Sequence, residues 1–110
     1  MVRNMPKIPE LAFLSWYSLS EAKKHYECTA YYDAYKHVLW SYLLTKAFGA
    51  EFSRAITDAH EINEDSVSDY FIDRTNCAAG RAFAESGYRE NDLLALVREG
   101  KEVVIAPYPA

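Results

Sequence analysis

The residues best suited to chemistry in this chain are Asp33 and His37, four positions apart in Asp33-Ala34-Tyr35-Lys36-His37-Val38-Leu39-Trp40. On a helix that spacing lets both side chains reach one point, as in metal ligation or in a carboxylate orienting an imidazole. At about 100° per residue, Asp33, His37, Trp40, Leu44, Ala47 and Phe48 share one stripe, with Tyr31, Tyr35, Tyr42 and Lys46 opposite. The stripe is expected to be buried. A carboxylate or imidazole out of water is costly unless paired, hydrogen-bonded or metal-bound, so partners are expected elsewhere in the chain.

Two further segments offer such partners. Asp69, Asp73, Asn76 and Gly80 form a second helical stripe, in which Gly80 leaves room for a close neighbour or a ligand. In Thr57-Asp58-Ala59-His60-Glu61, Asp58 and His60 flank the apolar side from opposite edges, and Glu61 points largely away. A plainer reading stands beside each segment. A His and an Asp on an apolar face are more often a satisfied polar pair than a catalytic one. His60 and Glu61 can be a solvated helix end, where the helix dipole favours an imidazolium. The tyrosine-rich side of the second helix reads as core or interface. No nucleophilic Ser or Cys motif accompanies these groups.

The elements that must position these residues are helical. Pro6 and Pro9 make residues 1–9 an extended lead-in, with Pro9 at a first helical turn, followed by an apolar segment to Trp16. Ser18-Leu19-Ser20-Glu21 has the spacing of a capping box and predicts a helix start near Ser18. A second helix is predicted over 31–48, stopped by Gly49, and a third over 50–62, with Phe52, Ala55, Ile56, Ala59 and Ile62 on its inner side. Residues 63–66 read as a loop. Ser66 caps a fourth helix lasting to Ser86-Gly87, and Asn91 caps a short last one through Arg98, stopped by Gly100. The tail 102–107 has strand-like composition but no strand to pair with, so it is read as an arm packed on the bundle or paired across a homodimer. The predicted fold is all-α, a compact bundle of four to five helices with an extended C-terminal arm, forming one domain over 1–110.

Composition narrows the function. Half of the 110 residues are hydrophobic, which provides for a core. The net charge of −4 disfavours nucleic acid and anionic lipid surfaces as partners. The charge is uneven: residues 1–49 carry 6 basic and 4 acidic side chains, residues 50–110 carry 6 and 12. An acidic second half suits a cation, a basic partner or plain solvation. Cys28 and Cys77 have no CxxC spacing and read as reduced, buried thiols. The N-terminal apolar run is broken by Glu10 and serines, which fits a first helix better than an export signal. No segment approaches the roughly 20 apolar residues of a membrane span. The chain as written is expected to be soluble and cytoplasmic, or delivered outside the cell by another system.

Taken in order, Asp33-Ala34-Tyr35-Lys36-His37-Val38-Leu39-Trp40, Thr45-Lys46-Ala47-Phe48-Gly49, Asp58-Ala59-His60-Glu61 and Asp73-Arg74-Thr75-Asn76-Cys77-Ala78-Ala79-Gly80-Arg81 resemble a bacterial domain of unknown function. That family is associated with the ends of secreted, wall-associated and polymorphic-toxin-like proteins, and the likeness covers about residues 20–84. It implies a helical active or metal site carried by Asp33, His37, Trp40, Asp58, His60, Glu61, Asp73, Asn76, Gly80 and Arg81. Two departures are visible: Cys77 where the family tends to have a second Asn, and Lys36 where Arg is usual. The missing carrier region of a secreted toxin suggests a stand-alone, phage-borne or degenerate version.

The resulting expectation is a hydrolase-like effector domain. His37 acts as general base or metal ligand and Asp33 fixes its tautomer. His60 and Asp73 complete a divalent-cation site with His37, and Asn76 orients a ligand or water. The substrate or partner would be an envelope component or an unidentified protein. The alternative is a non-catalytic helical binding or inhibitor module, favoured by small size and many exposed tyrosines.

Overall fold

A computed structural model describes residues 8–27, 29–61, 67–100 and 102–105. Five helices follow one another: α1 Ile8–Tyr26, α2 Tyr31–Phe48, α3 Ala50–Glu61, α4 Val67–Glu85 and, after a 3-10 turn over Glu90–Asp92, α5 Leu93–Glu99. The fold is all-α, as the sequence predicts. The lead-in before residue 8, Cys28, Ile62 at the predicted end of the third helix, the loop 63–66 with its Ser66 cap, and the tail beyond residue 105 lie outside the described residues.

Local chemistry explains most of the boundaries. Gly49, with φ of 95°, ends α2, and its N–H bonds the Thr45 carbonyl at 2.9 Å. Gly100 ends α5 in the left-handed region with φ of 73°. Two predicted caps differ. Ser18 starts no helix: α1 runs through it, because its hydroxyl donates to the Leu14 carbonyl at 2.9 Å and gives the backbone no reason to break. Asn91 sits inside the 3-10 turn, where the Asp92 carboxylate accepts the Arg89 N–H at 2.8 Å.

α2 is the axis of the bundle and packs against α1, α3, α4 and α5. It is therefore buried on most sides: Tyr35, Val38, Leu39, Tyr42 and Leu44 all enter the core with Phe83, Leu93 and Val97. The predicted burial of the Asp33 stripe is corrected accordingly, while the tyrosine side is core as read. On the Asp33 stripe, Asp33 and Ala47 are exposed and Trp40 and Phe48 half-buried. No described tyrosine is exposed; the exposed aromatics are Phe13, Trp16 and Phe71. Tyr42 and Tyr26 keep their buried hydroxyls bonded, to the Tyr88 carbonyl at 2.7 Å and the Leu94 carbonyl at 3.3 Å.

α2 and α4 approach each other closely at Gly80. A Cβ at Gly80 would collide with the Val38 carbonyl oxygen and lie 3.0 Å from Ser41 Cβ. The room predicted at Gly80 is filled by the backbone of α2. Around that point Ser41 Oγ donates to the Cys77 carbonyl at 2.6 Å and Ser53 Oγ to the Ser41 carbonyl at 3.2 Å, so small polar residues let three helices meet closely.

α3 is turned from its predicted orientation. Its buried residues are Ser53, Thr57 and Glu61, while Phe52 and Ile56 are half-buried and Ala55 and Ala59 exposed. Packing at serine distance and hydrogen bonding to α2 outweigh the apolar stripe. The arm ends the fold as predicted over the residues described: Val103 is buried and Val104 lies along α4.

Gly80→Ala should lower stability by about 1–3 kcal/mol, the usual cost of overpacking, because the added methyl meets backbone that cannot move aside. Thermal unfolding monitored by circular dichroism measures it, and an unchanged Tm would contradict the close crossing. A second outcome concerns alkali. Tyr17 donates to Glu90 at 2.6 Å, and that hydrogen bond, with burial, pushes the phenol up to about 12. The folded state then keeps a proton that the unfolded chain loses above the ordinary value of 10.0, so stability should fall as pH rises from 10 towards 12. In urea titrations over that range, Tyr17→Phe should show a shallower decline than the parent.

Candidate functional site

α2 and α4 run in the same direction, and their crossing sets His37 beside Asp73. His37 Nε2 lies 3.5 Å from Asp73 Oδ2, and both side chains are almost fully buried. The other ring nitrogen, Nδ1, donates to the Asp33 main-chain carbonyl at 2.9 Å, one helical turn back. Asp33 thus does orient the imidazole, but through its backbone. Its carboxylate is exposed and pairs with Lys36 at 3.3 Å.

The charge state of His37 follows from burial. Loss of solvent is the largest influence and holds the imidazole below its ordinary range, with the Asp33 carbonyl hydrogen bond acting in the opposite direction. A neutral ring that donates from Nδ1 carries its lone pair on Nε2, aimed at the Asp73 carboxylate. Two electron-rich atoms facing at 3.5 Å favour a proton or a cation between them. Ligand atoms of Asp33, His37 and Asp73 all lie within 4.8 Å of one another. Two donors on a common ion at about 2.0–2.4 Å are separated by no more than about twice that length, so the three need little movement to share one.

His37 also lines a cleft of about 170 Å³ with Ser15, Ser18 and Leu19 of α1, Lys36 and Trp40 of α2, and His60 of α3. His60 is exposed and meets the Trp40 ring edge-on, with centroids 5.3 Å apart. His37 and His60 therefore share the cleft, while the cation-sized cluster takes Asp33 in place of the predicted His60.

Asn76 has a different partner from the ligand or water expected of it. Its Nδ2 donates to the Val104 carbonyl at 3.0 Å, and its Oδ1 accepts the Val104 N–H at 2.8 Å. One side-chain amide thereby pairs with the extended arm as a neighbouring strand would. This also answers how a lone strand-like segment satisfies its backbone.

Glu61 is the residue most misjudged from sequence. It is fully buried, and Cys77 Sγ donates to Glu61 Oε2 at 3.4 Å. Burial first, then the Glu61 charge, push the Cys77 thiol well above its ordinary range, so it stays protonated and is no nucleophile. The signal available in the sequence was Ser53-x-x-x-Thr57-x-x-x-Glu61, a polar stripe of helical period. Asp58, by contrast, serves at the surface, bridging Arg54 at 3.5 Å and Arg74 at 3.6 Å, and Arg81 donates to Thr57 at 3.2 Å. Trp40, which the family resemblance marks, lines the cleft, and Lys36 and Ser18 join it although the sequence marked neither as a site residue.

Residues 4–102 match the family model of a domain of unknown function, DUF6973, and the chain belongs to that family. The match extends on both sides of the blocks at 20–84. Comparison with curated proteins and comparison with solved structures each gave no match. Among the described residues, no helix is long and apolar enough to cross a membrane.

Asn76→Ala removes both part-buried hydrogen bonds to Val104, which should cost about 1–2 kcal/mol. Amide exchange at Val104 should accelerate with it. Unchanged protection there would remove Asn76 from its role in holding the arm.

Proposed function

We propose that this chain is a cation-assisted hydrolase whose site is built on His37. The observation that carries the reading is the buried His37–Asp73 contact of 3.5 Å, with the imidazole proton committed to Nδ1 and Nε2 left to accept. One imidazole nitrogen and two carboxylate oxygens suit a divalent transition ion of intermediate softness. Asp33, His37 and Asp73 would hold it.

When bound, such an ion lowers the pKa of water and polarises a carbonyl or phosphoryl oxygen. The chain supplies the rest. The Asp33 carbonyl fixes the tautomer and direction of His37. His60, exposed at the cleft wall, offers an imidazole that can pass a proton to a leaving group, and Trp40 backs it. Lys36 brings a positive charge to the same cleft, where it can meet an oxyanion. Delivery as an effector against an envelope component, by another secretion system or from a phage, is the setting that best suits the family likeness.

A second reading is a binding or inhibitor module, working as a monomer or homodimer. It is favoured by Phe13 and Trp16, which are 56% and 61% exposed on α1.

The deciding experiment is calorimetric titration of the protein with Mn²⁺ and with Zn²⁺. Asp73→Asn and His37→Gln, both close in shape to the parent residues, should each weaken binding at least tenfold while the apo Tm moves little. If the parent binds neither ion, or if both variants bind as tightly as the parent, the cation-assisted reading is wrong and the binding-module reading takes its place.

A further inference from the structure

α3 and α4 border a second hollow, which shares no lining residue with the His37 cleft. It measures about 330 Å³ and is lined by Arg54 of α3 and by Phe71, Arg74, Thr75, Ala78 and Arg81 of α4. On α4 the spacing of Phe71, Arg74, Ala78 and Arg81 puts them on one face, with the two arginines seven residues and about 10 Å apart. Ala78, exposed between them, leaves room over the helix for a ligand.

Three guanidiniums around one hollow repel each other unless anions offset them. Residues 50–110 carry 6 basic side chains against 12 acidic ones, so gathering half of those cations in one place runs against the local charge. Asp58 serves two of them, at 3.5 Å from Arg54 Nε and 3.6 Å from Arg74 Nε. Arg81 has a neutral partner, donating from Nη1 to the Thr57 hydroxyl at 3.2 Å. The buried Glu61 carboxylate adds its field at Arg74. With both acids counted as ionised, one positive charge still stands unbalanced. Each guanidinium also has more donors than these contacts use. They engage one nitrogen of Arg54, one of Arg81 and two of Arg74, whose Nη1 donates to the Tyr70 hydroxyl at 3.0 Å. The neighbours thus hold the three side chains in place and leave terminal N–H groups for a ligand.

A phosphomonoester suits this donor set, with three oxygens on one centre and up to about two negative charges to meet forked guanidiniums. A carboxylate offers two oxygens and a single charge. At the start of the same α4 face Phe71 is 62% exposed, an aromatic ring on which a planar base can stack. The acidic balance of residues 50–110 repels an extended polyanion, which limits the ligand to a small one. We propose that the α3–α4 hollow binds a nucleoside monophosphate, its phosphate held by Arg54, Arg74 and Arg81 with the Thr75 hydroxyl, and its base on Phe71. The site stands apart from the hydrolase reading, because none of its residues belongs to the His37 cluster.

The test is calorimetric titration with the adenosine, guanosine, cytidine and uridine 5′-monophosphates, beside the free nucleosides and inorganic phosphate. The best nucleotide should bind about tenfold tighter than its nucleoside or phosphate alone, and added salt should weaken it. Arg54→Gln, at a side chain 64% exposed, should weaken nucleotide binding about tenfold with little change in Tm. Phe71→Ala should cost about as much for the nucleotide and leave the response to inorganic phosphate as in the parent, a split that loss of folding would not produce. His37→Gln should leave nucleotide affinity unchanged. If the parent binds none of the nucleotides, or if Arg54→Gln and Arg74→Gln both bind as tightly as the parent, the proposal is wrong. A nucleotide affinity no greater than that for inorganic phosphate would remove the base contact and with it the nucleotide assignment. Binding lost in His37→Gln but kept in both arginine variants would move the ligand to the cleft and overturn the proposal as well.

Discussion

Everything distinctive in this molecule depends on how closely α4 can approach α2. Glycine at position 80 brings the α4 backbone against the carbonyl of Val38, and the serines at 41 and 53 let α3 join the same contact. Two turns before Gly80 on the same helix lies Asp73. The crossing that Gly80 permits is therefore what carries a carboxylate to within 3.5 Å of a buried imidazole. A larger residue would push the helices apart, and the pair would separate with them.

That close contact also decides what kind of core this is. Around α2 the centre is mixed: aliphatic and tyrosine packing towards α1, α4 and α5, and a polar seam of Ser41, Ser53, Thr57, Glu61 and Cys77 towards α3. Interiors accept such groups when their hydrogen bonds are met. The Ser41 carbonyl accepts from both Thr45 and Ser53, and its hydroxyl donates to Cys77. The cost falls on the outside, where α3 leaves Phe52 and Ile56 only half covered.

The same geometry leaves the Asp33 stripe partly open. Because α2 gives its tyrosine face to the core, parts of that stripe face α1: His37 and Trp40 line one cleft, and Ala47 and Phe48 line a separate groove. Asn76, one turn past Asp73, serves that arrangement indirectly by fixing the arm along α4.

Some of this was legible in the residues alone. Helix periodicity, the glycines at 49 and 100 and the prolines near the start give the helical class and most boundaries, because these are local properties of the backbone. The pairing of His37 with Asp73 was also foreseeable, since a histidine on a packing face needs a partner and Asp73 lies on a second helical stripe with Asn76 and Gly80. What could not be read was which face of each helix turns inward. The hydrophobic pattern of α3 pointed the wrong way because a serine at a tight crossing gains more from proximity and hydrogen bonding than an apolar stripe gains from burial. That is why Glu61 and His60 exchanged their expected environments, and why Asp33 lends its carbonyl to His37 and its carboxylate to Lys36. Sequence determined the elements and the chemical groups they carry; only the packing of one helix against another could decide which of those groups meet.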